Sequence, residues 1–265
     1  MVRSFGGVCF RLKNFRIENM EKLKCLNRNQ LKYIALIAML IDHIAWAFVD
    51  PQSPLIGGTM HLFGRITGGT MAFFVAEGYE HTRSVKRYQI RLLLFAVISW
   101  IPFVYFETGL LPIGFYEGEF YFYPLQSVIY TLFLGLLAIR VWDSEKMPKA
   151  VRIILIVIIC VFSVIGDWAF MNVLACLFLH VFKDKPKAKW LAFTLSYLIP
   201  NIGLFIWNGF GNNWYQLGVL LIPVIICLFY NGEKGSDNPI HKWSFYIFYP
   251  LHLLIIGFIR WAVLI

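Results

Sequence analysis

The chain has 265 residues and carries 24 Lys and Arg against 15 Asp and Glu, for a formal net charge of +9. Hydrophobic residues make up 59% and charged residues only 15%, whereas a soluble domain carries roughly 25% charged residues. With a mean hydropathy of +0.66, this composition excludes an ordinary soluble domain.

The apolar residues come in blocks of about 17 to 23, the length a helix needs to cross a hydrocarbon core. Only helices and closed barrels span lipid. Barrel strands alternate apolar and polar residues, and these blocks do not. The sequence therefore predicts an all-α protein, a polytopic transmembrane bundle of about nine helices with no room for a second domain of normal size.

Residues 1–30 form a basic arm expected on the cytoplasmic side. The arm lacks the apolar core of a signal peptide. Met20 opens a more ordinary start, so residues 1–19 read either as a disordered leader or as an upstream-start artefact. Residues 31–265 form the transmembrane domain. Its expected spans are Leu31–Val49, Phe63–Glu80, Ile90–Phe106, Tyr123–Val141, Val151–Gly166, Trp168–Phe182, Trp190–Trp207, Tyr215–Tyr230 and Trp243–Ile265. The fifth and sixth are short, share a turn at Gly166–Asp167, and also read as one long kinked segment.

The arm and every second connection hold 22 of the 24 basic residues. The other connections hold Asp50, Glu107, Glu117, Glu119 and Asp167 and no Lys or Arg. By the positive-inside rule the N-terminus lies inside and the C-terminus outside, in a multi-pass protein of the cell (cytoplasmic) membrane. Basic residues confined to connections also argue against nucleic acid as a partner. The five cysteines are odd in number and include no CxxC, which indicates neither a disulfide framework nor a metal site.

Ionisable residues inside spans are costly and point to function. The first helix holds Asp42 and His43, the second Arg65 and Glu77, and the last His252. His81, His180 and His241 fall near cytoplasmic span ends and His61 lies in an outer connection, where solvated or interfacial histidines are expected. Arg260 is expected to snorkel. Lys32 and His43 are eleven residues apart, three turns plus roughly 20°, so they share a helix face about 16 Å apart along the axis. That suits a charge at the mouth for an anionic carrier and an imidazole at depth for a proton. A snorkelling Lys and a buried His bonded to a neighbouring helix fit the spacing equally well. Asp42 points away from His43 and needs a partner, for which Arg65 is placed. Glu77 reads either as half of a structural pair or as a binding group. Tyr246, Tyr249 and His252 share a broad face, which serves as packing or as a cavity wall. The spacing of Gly64 and Gly68 suits close helix approach. No GxSxG, HExxH or Walker-type loop is present.

The stretches LNRNQLKYIALIAMLIDHIAWAF, GRITGGTMAFFVAEGYEHTRSVKRY, LYNGEKG and FYIFYPLHLLII, spread in order from about Leu26 to Ile256, resemble the TraX family. That family is named for the conjugal-transfer protein that acetylates the pilin N-terminus. It is similar in turn to the wider group of membrane acyltransferases that modify cell-surface sugars with acyl-CoA. There, a basic residue, ten residues and a histidine mark the first helix, and Lys32 and His43 fit. The chain departs from the pattern at Gly68–Gly69, where the resemblance implies Phe-Pro and a kink.

The resemblance implies an acyltransferase moving acetyl from cytoplasmic acetyl-CoA, as co-substrate, to an amine or hydroxyl of an acceptor protein or glycan. His43 would be the general base or carry a transient acyl group. Lys32 would hold CoA phosphates, and Arg65 with Asp42 would shape the pocket or stabilise an oxyanion. Glu77, Tyr249 and His252 would line a cavity, with no permanently bound cofactor and no metal. Two other classes remain open: a small-solute or proton-coupled transporter, and a non-catalytic membrane scaffold.

Overall fold

The computed structural model describes residues 23–263. Most of the basic arm, with Cys9 and the start at Met20, lies outside the described residues, as do the last two residues.

The first helix, α1 (Arg28–Ile44), opens on a capping box. Asn27 accepts from the Gln30 backbone while the Gln30 side chain accepts from Asn27 N–H, which satisfies two otherwise orphaned donors. The helix runs on as a π-helical turn, Ala45–Val49. Next come α2 (Pro54–Gly64), α3 (Ile66–His81) and α4 (Val85–Thr108). A two-stranded hairpin follows, β1 (Ile113–Tyr116) against β2 (Glu119–Phe122). Then come α5 (Val128–Trp142), α6 (Lys149–Phe162), α7 (Ala169–Val181), α8 (Pro186–Asn208), the short α9 (Phe210–Asn213), α10 (Leu221–Phe229) and α11 (Pro239–Phe258).

Five segments among the described residues are long and apolar enough to cross a membrane: 28–49, 85–108, 186–208, 210–229 and 239–263. α5 and α7 are shorter apolar helices. Large apolar residues such as Leu94, Val97 and Ile101 on α4 and Ile154, Val157 and Val161 on α6 stay exposed. An apolar face of this kind needs lipid around it.

The nine expected spans match nine helical segments among the described residues, with three refinements. The second span is split, because α2 closes at Gly64 and α3 opens at Ile66. The fifth and sixth are separate helices, since the chain leaves α6 through a 3-10 turn (Ser163–Ile165) and reverses before α7. The eighth begins as a 3-10 segment, Trp214–Leu220. The hairpin is a departure from all-α. Its turn, Glu117–Gly118, has both residues at positive φ, 53° and 87°, the geometry that two-residue hairpin loops favour.

Contacts gather the basic connections at one end of the bundle. Lys183 pairs with Glu80 at 2.7 Å, His180 with Asp143 at 2.9 Å, and Asn29 donates to the Ser236 carbonyl. At the opposite end Asp167 N–H donates to the Gln126 carbonyl and Trp261 to the Phe106 carbonyl. The helices α1, α3, α5, α4 and α11 pack each on the next and close a ring, while α7 packs outside it on α3 and α5.

Candidate functional site

The helix ring encloses a cavity of about 840 Å³, within the usual range for a small-molecule site. All five ring helices line it. On α1 the lining residues are Arg28, Asn29, Lys32, Leu36 and Met39, a stripe at helical spacing. The mouth is at the basic end, bordered by Arg28, Lys32, Arg83, Arg91, Lys234 and Lys242 with Asp237 as the one carboxylate among the described lining residues. Lys32 has no carboxylate within ion-pair distance among the described residues; its Nζ lies 5.4 Å from the Phe74 ring centre and 5.2 Å from that of Phe245. Glu77 holds Arg28 in place: its Oε2 accepts from Arg28 Nε at 2.8 Å and its Oε1 from the Tyr230 hydroxyl at 2.7 Å.

Inward, the cavity narrows to a throat. Met39, Thr67, Val128 and Tyr249 line both the cavity and a second space of about 20 Å³ beyond it. That small void is bordered by His43, Asp42, Asp167 and Trp168. His43 is buried, its Nδ1 2.9 Å from His252 Nε2. His252 Nδ1 lies 2.8 Å from the Phe248 carbonyl, and its ring stacks on Phe248 at 4.9 Å. The Tyr249 hydroxyl is buried at the throat without a hydrogen-bond partner among the described residues. An unpartnered buried hydroxyl costs roughly 1–3 kcal/mol.

Beyond the void a polar cluster reaches the opposite end. Asp42 accepts from Arg65 Nη2 at 2.7 Å and faces His61 Nδ1 at 2.8 Å. His61 Nε2 faces Asp50 at 2.9 Å. The Arg65 guanidinium lies 4.9 Å from the Trp168 ring centre. Trp168 and Ala169 sit at φ 61° and 34°, a region side chains with a Cβ rarely adopt and one that recurs at functional sites.

The structure thus places Lys32 on the cavity wall and His43 at the small void beyond the throat, and gives Asp42 the partner expected for it, Arg65. Other expectations change. Arg65 is not among the residues lining the cavity or the void; Asp42 holds its guanidinium and the Trp168 ring lies against it. Asp42 borders the void, with its carboxylate committed to Arg65 and His61. Of the three residues expected to line the cavity, Tyr249 does. Glu77 and His252 do not line it; they contact Arg28 and His43 respectively. His61, expected to be solvated, is 2% exposed, because α2 packs against α1 and its Nδ1 meets the Asp42 carboxylate. His180, also expected near water, is buried and faces Asp143 and Glu80. His241 and His81 both border the cavity; His241 hydrogen-bonds Tyr33, and His81 is exposed as expected. Asp167 and Trp168, read from the sequence only as an acidic turn residue and the start of a span, also border the void; a turn between two helices carries no periodic signal.

A ring of membrane helices, a basic mouth and a histidine pair beyond the throat define a multi-pass membrane protein with a polar site at depth. The chain belongs to the TraX family, whose model, described as TraX protein, matches residues 27–260. It is similar to the "Probable fimbrial assembly protein FimC, serogroup H1" of Dichelobacter nodosus, 31% identical over 236 residues that span 86% of this chain and 93% of that relative. No solved structure matches.

Proposed function

We propose that the protein is an acetyltransferase of the cytoplasmic membrane that uses acetyl-CoA and serves pilus or fimbrial assembly. The observation that carries this reading is the shared throat. The residues that end the basic-mouthed cavity also wall the void at His43. Basic residues face the cytoplasm by the positive-inside rule, where acetyl-CoA is found. Its phosphates would rest among Arg28, Lys32, Arg91 and Lys242, with Lys32 acting as a point charge. The pantetheine arm would run along the α1 stripe and bring the thioester to the throat. The His43 imidazole would remove a proton from the acceptor amine or hydroxyl. The acceptor atom would bond to the acetyl carbon, the C–S bond would break, and the thiolate would take the proton. The family name and the fimbrial relative favour a pilin N-terminal amine as acceptor, with a cell-surface glycan hydroxyl as the alternative.

The test is transfer of labelled acetyl from acetyl-CoA by the purified protein in lipid vesicles, to a synthetic pilin N-terminal peptide or a surface glycan. His43→Ala is expected to keep acetyl-CoA binding and lose roughly 10²- to 10⁴-fold in turnover. Lys32→Ala is expected to raise KM for acetyl-CoA with a smaller effect on turnover. Wild-type rates in an inserted His43→Ala protein would remove His43 from the mechanism. Absence of acetyl-CoA binding by the wild type would remove the enzyme reading. A second reading, a proton-coupled transporter, is favoured by one observation, the Asp42–His61–Asp50 chain from void to opposite end. Proton-driven solute uptake by vesicles without acetyl transfer would select it.

A further inference from the structure

The hydrogen bonds around His252 point to which nitrogen of His43 is free. The Phe248 carbonyl can only accept, so His252 Nδ1, 2.8 Å away, carries a hydrogen. In the neutral ring that leaves His252 Nε2 with its lone pair. His43 Nδ1 lies 2.9 Å from that nitrogen, and the contact is a hydrogen bond only when His43 Nδ1–H donates. The His43 lone pair then sits on Nε2. Packing holds both rings in these orientations: His252 is stacked on Phe248, and His43 meets Phe106 edge-on at 5.1 Å.

We infer that His252 is a positioning residue, which fixes His43 in the Nδ1–H tautomer and presents Nε2 as the base. In a Ser-His-Asp triad a carboxylate performs this task; here a neutral imidazole anchored to a helix carbonyl performs it. The inference rests on the reading of His43 as the base. When His43 Nε2 takes the acceptor proton, the imidazolium still donates Nδ1–H to His252 Nε2. The Nε2 proton then passes to the departing thiolate, and His252 gains and loses no proton over the cycle. Without His252, the His43 ring can flip or hold its proton on Nε2, and neither form offers a base to the acceptor.

The experiment compares wild type, His252→Ala and His252→Gln as full-length protein in lipid vesicles, with labelled acetyl-CoA and the pilin N-terminal peptide. His252→Ala is expected to lower kcat by roughly 10- to 10³-fold, with KM for acetyl-CoA within about twofold. His252→Gln supplies an amide oxygen that can accept from His43 Nδ1–H, and is expected to recover to within about tenfold of wild type. Nitrogen-15 NMR of histidine-labelled protein reads the tautomer without any turnover, with His43→Ala used to assign the signal. The expected result is a protonated Nδ1 and an unprotonated Nε2 in wild type, and a tautomer mixture in His252→Ala. Wild-type kcat in His252→Ala, an effect confined to KM, or an inserted His252→Gln protein no better than His252→Ala would overturn the inference. An unprotonated Nδ1 on wild-type His43 would overturn it as well. A wild type that transfers no acetyl would defeat the acetyltransferase reading instead, and the NMR result would still decide the tautomer.

Discussion

Glu77 offers a measurement of what holds the cavity mouth together. It ties α3 to α1 through Arg28 and to the end of α10 through Tyr230, and the Arg28 and Glu77 side chains are each 16% exposed. Hydrogen bonds to charged groups contribute roughly 1.5–3 kcal/mol each, and burial this deep leaves little solvent screening. Breaking a fully buried pair costs about 3–5 kcal/mol. Arg28 borders the cavity and can hydrate once released, so the Glu77→Ala cost should fall at about 2–3 kcal/mol. A double-mutant cycle with Arg28→Ala isolates the pair, and its coupling should be about 1.5–3 kcal/mol. Thermal unfolding of the purified protein in detergent reads it, at roughly 2–4 °C per kcal/mol for a chain of this size. An exposed ion pair would give about 0–1 kcal/mol. A coupling below about 0.5 kcal/mol would therefore refute the claim that this pair anchors the mouth. KM for acetyl-CoA discriminates further. Glu77→Gln frees the Arg28 charge and should leave KM unchanged or lower it, so a raised KM would assign Glu77 to substrate binding.

Three further outcomes can be checked. Gly64→Ala would place a Cβ against the Asp42 carboxylate and should destabilise the protein by about 1–3 kcal/mol, read by thermal unfolding; wild-type stability would show that Asp42 can move without cost. Reporters fused after Lys149 or Lys187 should read inside and those after Glu117 or at the C-terminus outside, and a cytoplasmic C-terminus would break the arrangement of ends described above. Tyr249→Phe should lower turnover by roughly 10-fold or more if the unpartnered phenol bonds the reacting group, without loss of stability; unchanged turnover would leave Tyr249 as throat packing.

Much of this was legible in the sequence, for reasons particular residues make plain. Span lengths and the alternation of Lys and Arg marked the nine segments and their two ends, because hydrocarbon thickness and charge placement act on composition. The Lys32–His43 face followed from helical geometry within one element. Where the site depends on contacts between distant segments, the sequence was silent. His43 meets His252 across 209 positions, and Glu77 meets Tyr230 across 153, with nothing local at either partner to announce it. His61 misled because a place in an outer connection argues for water, whereas that connection is helical and packs His61 onto Asp42. The hairpin was readable in principle: Glu117–Gly118 lies between aromatic-rich runs, a recognised turn signal.

The glycines at 64, 68 and 69, two of which stand where the resemblance leads one to expect Phe-Pro, lie against close neighbours. A proline would kink the second span; here the span is already broken at Arg65, between α2 and α3. A Cβ on Gly68 would lie 2.7 Å from the Trp168 ring, and one on Gly69 would lie 2.7 Å from Phe193 and 2.5 Å from Ile222. The space a phenylalanine at 68 would need is therefore filled from outside the helix by Trp168. That side chain reaches it from a left-handed backbone that a tryptophan adopts only under the constraint of its surroundings. The aromatic bulk beside the void and the break in the second span are both present, each supplied by a different part of the chain. Trp168 thus occupies, beside the void, the space a side chain at position 68 would take.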